Sequence, residues 1–371
     1  MTERPTLAIG LMSGTSLDGM DAALVRFLGP THVELVAFAH RPYHPEERRE
    51  IEEAIEKRNG AARRLAHLHA RIAEWAAEAV DQVLMRAHLP AAALDFIAFH
   101  GQTIWHEPPL VTWQLGEPAI LAERFGVRIV SGFRGRDLAA GGEGAPLVPI
   151  ADVLLFGSDT GPRVLLNIGG MANLTLVSRR AVEEGSYAFD TGPGVAVVDA
   201  VARLTDPALS YDKDGALAAR GRVDESVLAE LLTDSFFGEE PPKSTGRERY
   251  GSIYAKSLYA RLPGPDAVAT AVELTARSIA GAIERWTPKG TDVVASGGGC
   301  HHPGIWWALG ARLAEQGRRL HRFDDLFFSG DAKEAVAFAL LGYLTIHGQP
   351  GNLPRATGAR GPRVLGCITP A

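Results

Sequence analysis

Hydrophobic positions along the chain change repeatedly between short continuous runs and helical spacing. Continuous apolar runs predict strands at 6–12, 21–27, 96–99, 127–130, 164–168, 174–177 and 292–296. Apolar residues that recur at steps of three and four predict helices at 65–83, 266–286, 303–316 and 333–346. Further helices are predicted at 45–58 and 195–204. Strands that alternate with helices predict the α/β fold class.

Two stretches share a strand–glycine–strand pattern, one at 7–27 and one at 163–178, which suggests a weak internal duplication. The first contains the turn-forming string SGTSLDGM, and the second contains GGMAN. No long linker rich in Gly, Ser or Pro separates the halves of the chain. If there are two domains, we therefore expect them to be closely joined, with a cleft between them.

Composition narrows the classes of protein that fit. The 371 residues are 46% hydrophobic and 22% charged, which argues against global disorder. The formal net charge of −6 disfavours a nucleic-acid partner, because there is no excess of basic residues. Two cysteines make no disulfide framework, and MTERPTLAIG lacks the pattern of a secretory signal, so we expect a cytoplasmic protein with no membrane partner. The 41 glycines occur in clusters, which indicate close backbone approaches.

The first glycine cluster lies in SGTSLDGMD, residues 13–21. Backbone N–H groups and hydroxyls in such a hairpin suit phosphate oxygens, and Asp18 or Asp21 could hold a divalent cation through water. An ordinary hairpin turn explains the same residues. The chain has neither a Walker-type loop nor a G-x-G-x-x-G string, so a nucleotide would bind through a different architecture.

The string FDTGPG, residues 189–194, places Asp190 at the end of a predicted strand and before a predicted helix. The helix start could bind an anion, and Asp190 could act as a general base; alternatively, Asp190 caps the helix. The Asp-Thr-Gly tripeptide of aspartic proteases occurs here and again at Asp159. The two aspartates are only 31 residues apart and Asp159 lies in a turn-like stretch, which disfavours a protease dyad.

Other polar strings allow two interpretations each. His100-Gly101-Gln102-Thr103 follows a predicted strand, where α/β proteins bind ligands, but His100 could equally be a structural histidine. Histidine spacing gives only a weak metal signal. Gly297-Gly298-Gly299 could let a flat ring lie against the backbone or could form a flexible turn. Four basic residues could clamp an anion or simply lie at the surface: Arg134, Arg136, Lys243 and Arg247.

Taken together, these strings resemble one family, the anhydro-N-acetylmuramic acid kinases. The matching stretches run through the chain in the family's order and are IGLMSGTSLDGMDAAL (9–24), HGQTIWHEPP (100–109), FRGRDLAAGGEGAPLVP (133–149), LNIGGMANLT (166–175), FDTGPG (189–194), PPKSTGRE (241–248), EAVAFALL (334–341) and NLPRATGA (352–359). The resemblance implies two RNase H-like domains of the sugar kinase/Hsp70/actin type, with the active site in the cleft between them. We expect domain I at 1–131 plus 348–371 and domain II at 132–347, each with one phosphate-binding hairpin.

The resemblance also implies a reaction. Water opens the 1,6-anhydro bond of anhydro-N-acetylmuramic acid at C1, and O6 takes the γ-phosphoryl group of ATP with Mg²⁺, which gives N-acetylmuramic acid 6-phosphate in cell-wall recycling. Asp190 should activate the water. Residues expected near the sugar are His100, Gln102, Thr103, Arg136 and Glu334. Residues expected near ATP are Gly14, Thr15, Ser16, Leu17, Asp18, Gly19, Met20, Asp21, Asn167, Gly169, Gly170, Gly192, Gly297, Gly298 and Gly299, with Asp18 holding Mg²⁺ through water.

Three positions depart from the family's usual residues: Gly132 and His302 stand where Asp and Asn are usual, and Val195 stands where Asn is frequent. These departures bear on fine substrate contacts and leave Asp190 and the first hairpin intact. The alternative is a non-catalytic, ATP-switched module of the same superfamily, although such a module would not need the sugar-side strings HGQT and FRGRD. The family also suggests a homodimer.

Overall fold

The computed structural model describes residues 4–14, 17–56 and 62–371. Its strands are β1 (Thr6–Ser13), β2 (Gly19–Phe27), β3 (Val33–Pro42), β4 (Phe96–Glu107), β5 (Val111–Leu115), β6 (Arg128–Ser131), β7 (Arg163–Ile168), β8 (Met171–Val177), β9 (Tyr187–Pro193), β10 (Asp292–Ser296), β11 (Leu320–Arg322) and β12 (Cys367–Thr369). Its α-helices are α1 (Pro45–Glu56), α2 (Ala62–Ala87), α3 (Pro118–Phe125), α4 (Gly135–Ala139), α5 (Val148–Ala151), α6 (Val195–Thr205), α7 (Glu225–Leu231), α8 (Ser235–Gly238), α9 (Ser252–Arg261), α10 (Pro265–Trp286), α11 (Pro303–Glu315), α12 (Phe323–Leu326), α13 (Lys333–Ile346) and α14 (Pro354–Thr357).

The described chain divides into two compact units, and the predicted α/β class is confirmed in both. Unit 1 contains the chain up to residue 155 and from 332 onward, and unit 2 contains 156–331. These boundaries differ from those expected at 131/132 and 347/348. The second boundary moves because α13 packs on β1, β2 and β4 and therefore belongs to unit 1. The first moves because α5 packs on α13 and stays in the same unit.

The five-stranded sheet of unit 2 has the same topology as five of the seven strands in the sheet of unit 1. In unit 1, β1, β2 and β3 are consecutive antiparallel neighbours, β4 runs parallel to β1, and β6 runs parallel to β4. In unit 2, β7, β8 and β9 are antiparallel neighbours, β10 is parallel to β7, and β11 is parallel to β10. The repeated strand order gives the suggested duplication a structural basis.

The core of unit 1 lies on both faces of its sheet because side chains alternate along each strand. Ile9 and Leu11 of β1 belong to the cluster that contains the apolar face of α2. Gly10 points the other way, toward α13, where its missing side chain lets the backbone of the helix come close. In unit 2, the strands β7–β9 pack with α6, α9, α10 and α11 around a second core.

Several predicted elements match closely, while β4 is longer than expected. The strand predicted at 292–296 and the helix predicted at 333–346 have the observed bounds of β10 and α13. The run at 96–99 continues as β4 to Glu107, and its second half pairs with β5. His100 to Thr103 therefore lie inside a strand and not after its end, which corrects the prediction. The helix predicted from 266 begins one residue earlier, with Gly264 as the N-cap of α10, and Asp266 accepts a hydrogen bond from the Arg222 N–H at 2.7 Å.

Candidate active site

The first glycine hairpin joins β1 to β2 in unit 1. Thr15 and Ser16, two of its expected ATP contacts, lie outside the described residues. Gly14, Leu17 and Asp18 lie in the connection, whereas Gly19, Met20 and Asp21 begin β2. The side chains of Leu17 and Met20 are buried, so only their backbone could meet a ligand. Asp18 has an exposed side chain, and its carbonyl accepts the Tyr43 N–H at 3.0 Å.

A hydrogen-bond network fixes the start of this hairpin. The Ser13 hydroxyl donates to Gln102 Oε1 at 2.5 Å and accepts from the Tyr43 hydroxyl at 2.9 Å. The Gln102 amide donates to the carbonyl oxygens of Gly14 and Thr103, each at 3.3 Å. Gln102 has 0% of its surface exposed, so it does not reach a sugar in this conformation. The polar atoms of Gln102 are thus used to hold the hairpin, and the expected sugar contact stays a prediction.

Acidic side chains gather near the hairpin. Desolvation raises the pKa of Asp21 to about 6, although its hydrogen bond to His40, at 2.7 Å, acts in the opposite direction. Glu334 reaches solvent at the start of α13, but the protein around it desolvates it and raises its pKa; the negative charge of Asp18 adds to this. Within 4–14, 17–56 and 62–371, no group of three or more His, Cys, Asp or Glu could hold a metal ion. A direct protein cage for Mg²⁺ is thus not found there.

His100 is a satisfied structural histidine, the alternative to the expected sugar contact. Its Nδ1 lies 2.7 Å from the Gly101 carbonyl, and its Nε2 accepts from Arg134 Nε at 3.0 Å, which assigns a neutral tautomer protonated at Nδ1. Burial lowers its pKa well below the usual value, and the Arg134 charge lowers it further. Only 4% of its surface is exposed. Both ring nitrogens are therefore occupied within the protein.

Arg134, Arg136 and Thr103 differ in how they are held. Arg134 donates to His100 and to the Gly144 carbonyl at 2.9 Å, and desolvation lowers its pKa to about 10. Arg136 is exposed on α4, and Thr103 is half-buried and accepts from the Gln114 amide at 3.2 Å. Of the five residues expected near the sugar, only Thr103, Arg136 and Glu334 keep surface for a ligand.

The second glycine turn, Gly169–Gly170 between β7 and β8, forms hydrogen bonds with the start of α6 in unit 2. The Gly169 carbonyl accepts the Val195 N–H at 2.9 Å, and the Gly170 carbonyl accepts the N–H groups of Gly194 at 2.9 Å and Ala196 at 3.1 Å. The expectation that the helix start offers free N–H groups to an anion is therefore wrong. The hairpin itself occupies those donors.

The glycines of FDTGPG serve packing within unit 2. Gly192 has a φ of 141°, and a Cβ there would lie 2.7 Å from the Phe237 ring. At Gly194, a Cβ would overlap the Gly169 carbonyl. The small size of Gly192 thus serves the fit of β9 against Phe237, and that of Gly194 the fit of the start of α6 against the Gly169–Gly170 turn; the sequence suggested a close approach to a ligand.

Asp190 lies in β9 and does not cap α6. Its Oδ2 accepts the Thr245 N–H at 2.8 Å and the Ser244 hydroxyl at 3.1 Å. Desolvation by burial raises its pKa above the usual value for aspartate, and the two hydrogen bonds oppose that rise. Strand register places Asn167, Asn173 and Asp190 side by side on β7, β8 and β9. Asn173, for which no role is predicted from the sequence, thus lies between two expected site residues.

The three glycines after β10 are not equivalent. A Cβ at Gly297, whose φ is 89°, would lie 2.6 Å from Asn167 Oδ1, and one at Gly299 would lie 2.9 Å from the Ile168 carbonyl. At Gly298, no atom lies within 4 Å of the added Cβ. Gly297 and Gly299 therefore pack against the end of β7, and Gly298 borders open space.

Two basic residues of PPKSTGRE have different surroundings. Lys243 is 9% exposed and donates to the Phe236 carbonyl at 2.7 Å, so it is not available to clamp a phosphate. Arg247 is exposed, and its guanidinium lies 3.8 Å from the Cβ position of Gly170. Sequence reasoning grouped the two as possible anion clamps and overlooked Ser244 and Thr245. The signal for those two was available, since hydroxyl residues in a turn often donate to a carboxylate.

The remaining sequence features are structural. His302 is buried, caps α11 by accepting the Ile305 N–H at 3.3 Å, and lies 3.1 Å from Asp212. Its departure from the family pattern therefore lies in a packed helix start. The exposed Asp159 pairs with Arg180 at 3.1 Å, as expected for a turn residue that is no part of a protease dyad.

Comparison with known proteins shows the family to which this chain belongs. The sequence profile described as anhydro-N-acetylmuramic acid kinase matches residues 6–371. The chain belongs to the anhydro-N-acetylmuramic acid kinase family. The predicted family and enzyme class, a kinase, are thereby confirmed.

Similar proteins named anhydro-N-acetylmuramic acid kinase occur in several bacteria. One from Caldanaerobacter subterraneus subsp. tengcongensis is 42% identical over 98% of this chain and 96% of its own. One from Xanthomonas axonopodis pv. citri is 41% identical over 98% of both chains. A third, from Bacillus cereus (strain AH820), is 37% identical over 97% of this chain and 98% of its own.

Solved structures give more distant likenesses. Component A of the Acidaminococcus fermentans (R)-2-hydroxyglutaryl-CoA dehydratase has a TM-score of 0.47 and 13% identity, covering 90% of this chain and 96% of its own. The ROK hexokinase of Thermus thermophilus has a TM-score of 0.37 and 15% identity, covering 92% of this chain and 99% of its own. At these values neither likeness bears on activity. In the described part of the chain, no helix is long and apolar enough to cross a membrane.

Proposed function

We propose that this chain uses ATP to convert 1,6-anhydro-N-acetylmuramic acid into N-acetylmuramic acid 6-phosphate. Water adds at C1, the C1–O6 bond breaks, and O6 takes the γ-phosphoryl group. The water proton passes to Asp190, and ADP leaves. This reaction returns a sugar of the cell wall to a phosphorylated form, and we place the protein in the cytoplasm, where ATP is available.

The observation that carries the proposal is the setting of Asp190. Its Oδ2 is held by Ser244 and Thr245, so the other carboxylate oxygen has a defined direction. A general base needs such geometry first and a suitable pKa second. Burial supplies the second requirement, because it raises the Asp190 pKa and makes the carboxylate a stronger base.

The two glycine hairpins are the proposed contacts for the ATP phosphates. The Gly169–Gly170 turn suits an anionic ligand, since the guanidinium of the exposed Arg247 lies 3.8 Å from the Cβ position of Gly170. Gly298 offers bare backbone toward open space, which suits a flat base. On the first hairpin, Asp18 is exposed and would hold Mg²⁺ through water, and the bound ion would neutralise charge on the transferred phosphoryl group.

For the sugar, we propose Thr103, Arg136 and Glu334 as contacts. They are the expected sugar residues that keep accessible surface. His100 and Gln102 would act indirectly, His100 by orienting Arg134 and Gln102 by holding the hairpin.

Mass spectrometry of the product tests the reaction. The protein is incubated with ATP, Mg²⁺ and the anhydro sugar in ¹⁸O-labelled water. We expect the sugar to gain one water and one phosphoryl group, with the label at C1. A product that gains the phosphoryl group alone would contradict the proposed mechanism. ATP binding without transfer to any amino sugar would instead favour an ATP-switched module.

Substitution of the base tests the role of Asp190. We expect Asp190→Asn to lower kcat by about 10²- to 10⁴-fold, the usual contribution of a general base, with ATP affinity nearly unchanged. Asp159→Asn is the matched control, because Asp159 has the same Thr-Gly neighbours but is exposed and paired with Arg180. Near-normal turnover of Asp190→Asn would exclude Asp190 as the base.

A further inference from the structure

The segment 243–245 forms three hydrogen bonds with Asp190. The Asp190 N–H donates to the Lys243 carbonyl at 3.0 Å. The Thr245 N–H donates to Asp190 Oδ2 at 2.8 Å, and the Ser244 hydroxyl donates to the same oxygen at 3.1 Å. Three consecutive residues thus hold both the backbone and the side chain of one aspartate.

These contacts treat the two carboxylate oxygens differently. Both side-chain hydrogen bonds of Asp190 within the described part of the chain are accepted by Oδ2. The terminal torsion of an aspartate is broad and roughly two-fold, so an unsupported carboxylate samples many orientations. Two donors on one oxygen remove that freedom and leave Oδ1 with lone pairs in a fixed direction.

The side chain of Lys243 anchors the segment 243–245 to the backbone of Phe236 and Phe237. Its ammonium group donates to the Phe236 carbonyl at 2.7 Å and to the Phe237 carbonyl at 3.4 Å. It also lies 4.5 Å from the centre of the Phe236 ring and 5.9 Å from that of Phe189, the residue before Asp190. A buried ammonium with these partners is costly to displace, because breaking the contacts would leave the charged group buried without hydrogen-bond acceptors. Lys243 therefore makes the neighbouring Ser244 and Thr245 rigid.

We propose that the segment Lys243–Ser244–Thr245 is the positioning element of the general base, with the Ser244 hydroxyl as its side-chain donor. The inference rests on the proposed role of Asp190. In this arrangement Ser244 and Thr245 aim Oδ1 at the attacking water, while Lys243 keeps both donors in place. Ser244 does not touch the reacting atoms and acts only through Asp190.

Ser244→Ala and Ser244→Thr test the proposal on the full-length enzyme. We expect Ser244→Ala to lower kcat roughly tenfold, because a charge-assisted hydrogen bond that fixes a reacting group is lost. KM for ATP and for the sugar should stay within about twofold, since no substrate contact is removed. Ser244→Thr keeps the hydroxyl and should restore most of kcat. Ser252→Ala, an exposed serine at the start of α9, is the matched control.

The pH profile of kcat separates positioning from general destabilisation. The Ser244 bond stabilises charged Asp190 and lowers its pKa, so its loss should move the acidic limb of the profile to higher pH. The other charged groups acting on Asp190 are Glu248, which raises the pKa, and Lys243, which lowers it. Both remain in the variant. The Ser244→Thr profile should match the wild type.

Two results would overturn the proposal: wild-type kcat and pH profile in Ser244→Ala, or a Ser244→Thr variant as impaired as Ser244→Ala. Combining the variants adds a further check. If Ser244 acts through Asp190, then Ser244→Ala should cause no further loss in an Asp190→Asn background. A full additional loss there would contradict the proposal. Failure of the proposed function is distinguishable, because wild-type enzyme would then form no product or Asp190→Asn would keep its turnover.

Discussion

Gly10 of β1 and Ala335 of α13 lie so close that the Ala335 carbonyl oxygen fills the space a Cβ would need at residue 10. The Ala339 nitrogen lies 2.7 Å from the same point. The contact lies in the first two turns of α13 and fixes the place of Glu334, the residue before Ala335. The absence of a side chain at Gly10 therefore lets α13 place Glu334, a proposed sugar contact, beside the first hairpin.

We predict that Gly10→Ala destabilises unit 1, because the helix backbone must retreat from the sheet. Overpacking of this kind costs about 1–3 kcal/mol, and more where backbone must move. Thermal unfolding should show a melting temperature lower by several degrees, together with reduced sugar affinity. Gly281→Ala is the control: the site is exposed within α10 with no atom within 4 Å, so stability should be unchanged or slightly higher. Equal stability of both variants would contradict the close contact.

We predict that Gln102→Ala impairs ATP use and stability together. The substitution removes the acceptor of the buried Ser13 hydroxyl and a donor to the Gly14 carbonyl, at a cost of about 1–3 kcal/mol for each lost contact. KM for ATP should rise, and the melting temperature should fall. A rise in KM for the sugar alone, with normal stability, would instead show that Gln102 touches the sugar. Steady-state kinetics with each substrate varied decides between the two.

We predict that Gly298→Ala weakens ATP binding, whereas Gly299→Ala lowers the stability of the fold. An alanine at 298 meets open space, so the protein should fold normally but bind ATP more weakly if the base lies there. An alanine at 299 collides with Ile168, so stability should fall first. Calorimetric ATP titration and thermal unfolding of both variants test this. Normal ATP affinity of Gly298→Ala would remove Gly298 from the nucleotide site.

We predict that Arg247→Ala lowers ATP affinity by about tenfold, as expected for loss of a charge-assisted contact to phosphate. Arg247→Lys should recover only part of it, because the ammonium lacks the planar fork of donors. Arg220→Ala, another exposed arginine of unit 2, serves as the control. If all three variants bind ATP like the wild type, Arg247 does not contact the nucleotide.

We predict that Asp21→Asn stabilises the protein at pH 8 by an amount that disappears near pH 4. The folded-state pKa of about 6 lies above the ordinary value of 3.8, so the folded protein binds the proton more tightly than the unfolded chain. Stability is therefore lost as pH rises from about 4 to 6, and asparagine removes that loss. Melting temperatures of both proteins between pH 4 and 8 check the sign. A stabilisation that is the same at both ends would contradict the raised pKa.

Local sequence patterns predicted much of the fold. The bounds of β10 follow from a continuous apolar run, and those of α13 follow from helical spacing. The second half of β4 escaped prediction because its polar residues resemble a loop; they are strand residues because β5 pairs with them. Pairing of that kind is invisible along one segment.

The sequence predicts which residues belong to the candidate site better than it predicts what each of them does. Asp190 was expected as the base from its motif, and its setting supports that expectation. His100 and Gln102 were expected near the sugar, yet their polar atoms are used by Arg134 and Ser13, which lie far away in sequence. Burial depends on such distant neighbours, and so the sequence alone could not distinguish a ligand contact from a structural one.

The hydrogen bonds between the Gly169–Gly170 turn and the start of α6 affect the free energy of binding for any ligand that contacts the turn. Flexible glycine loops normally lose conformational entropy when they close around a ligand. Here the carbonyl oxygens of Gly169 and Gly170 are already fastened to three helix N–H groups. The turn is therefore ordered during folding and has a single conformation before the ligand binds. Ligand association then need not be slowed by changes among loop conformations.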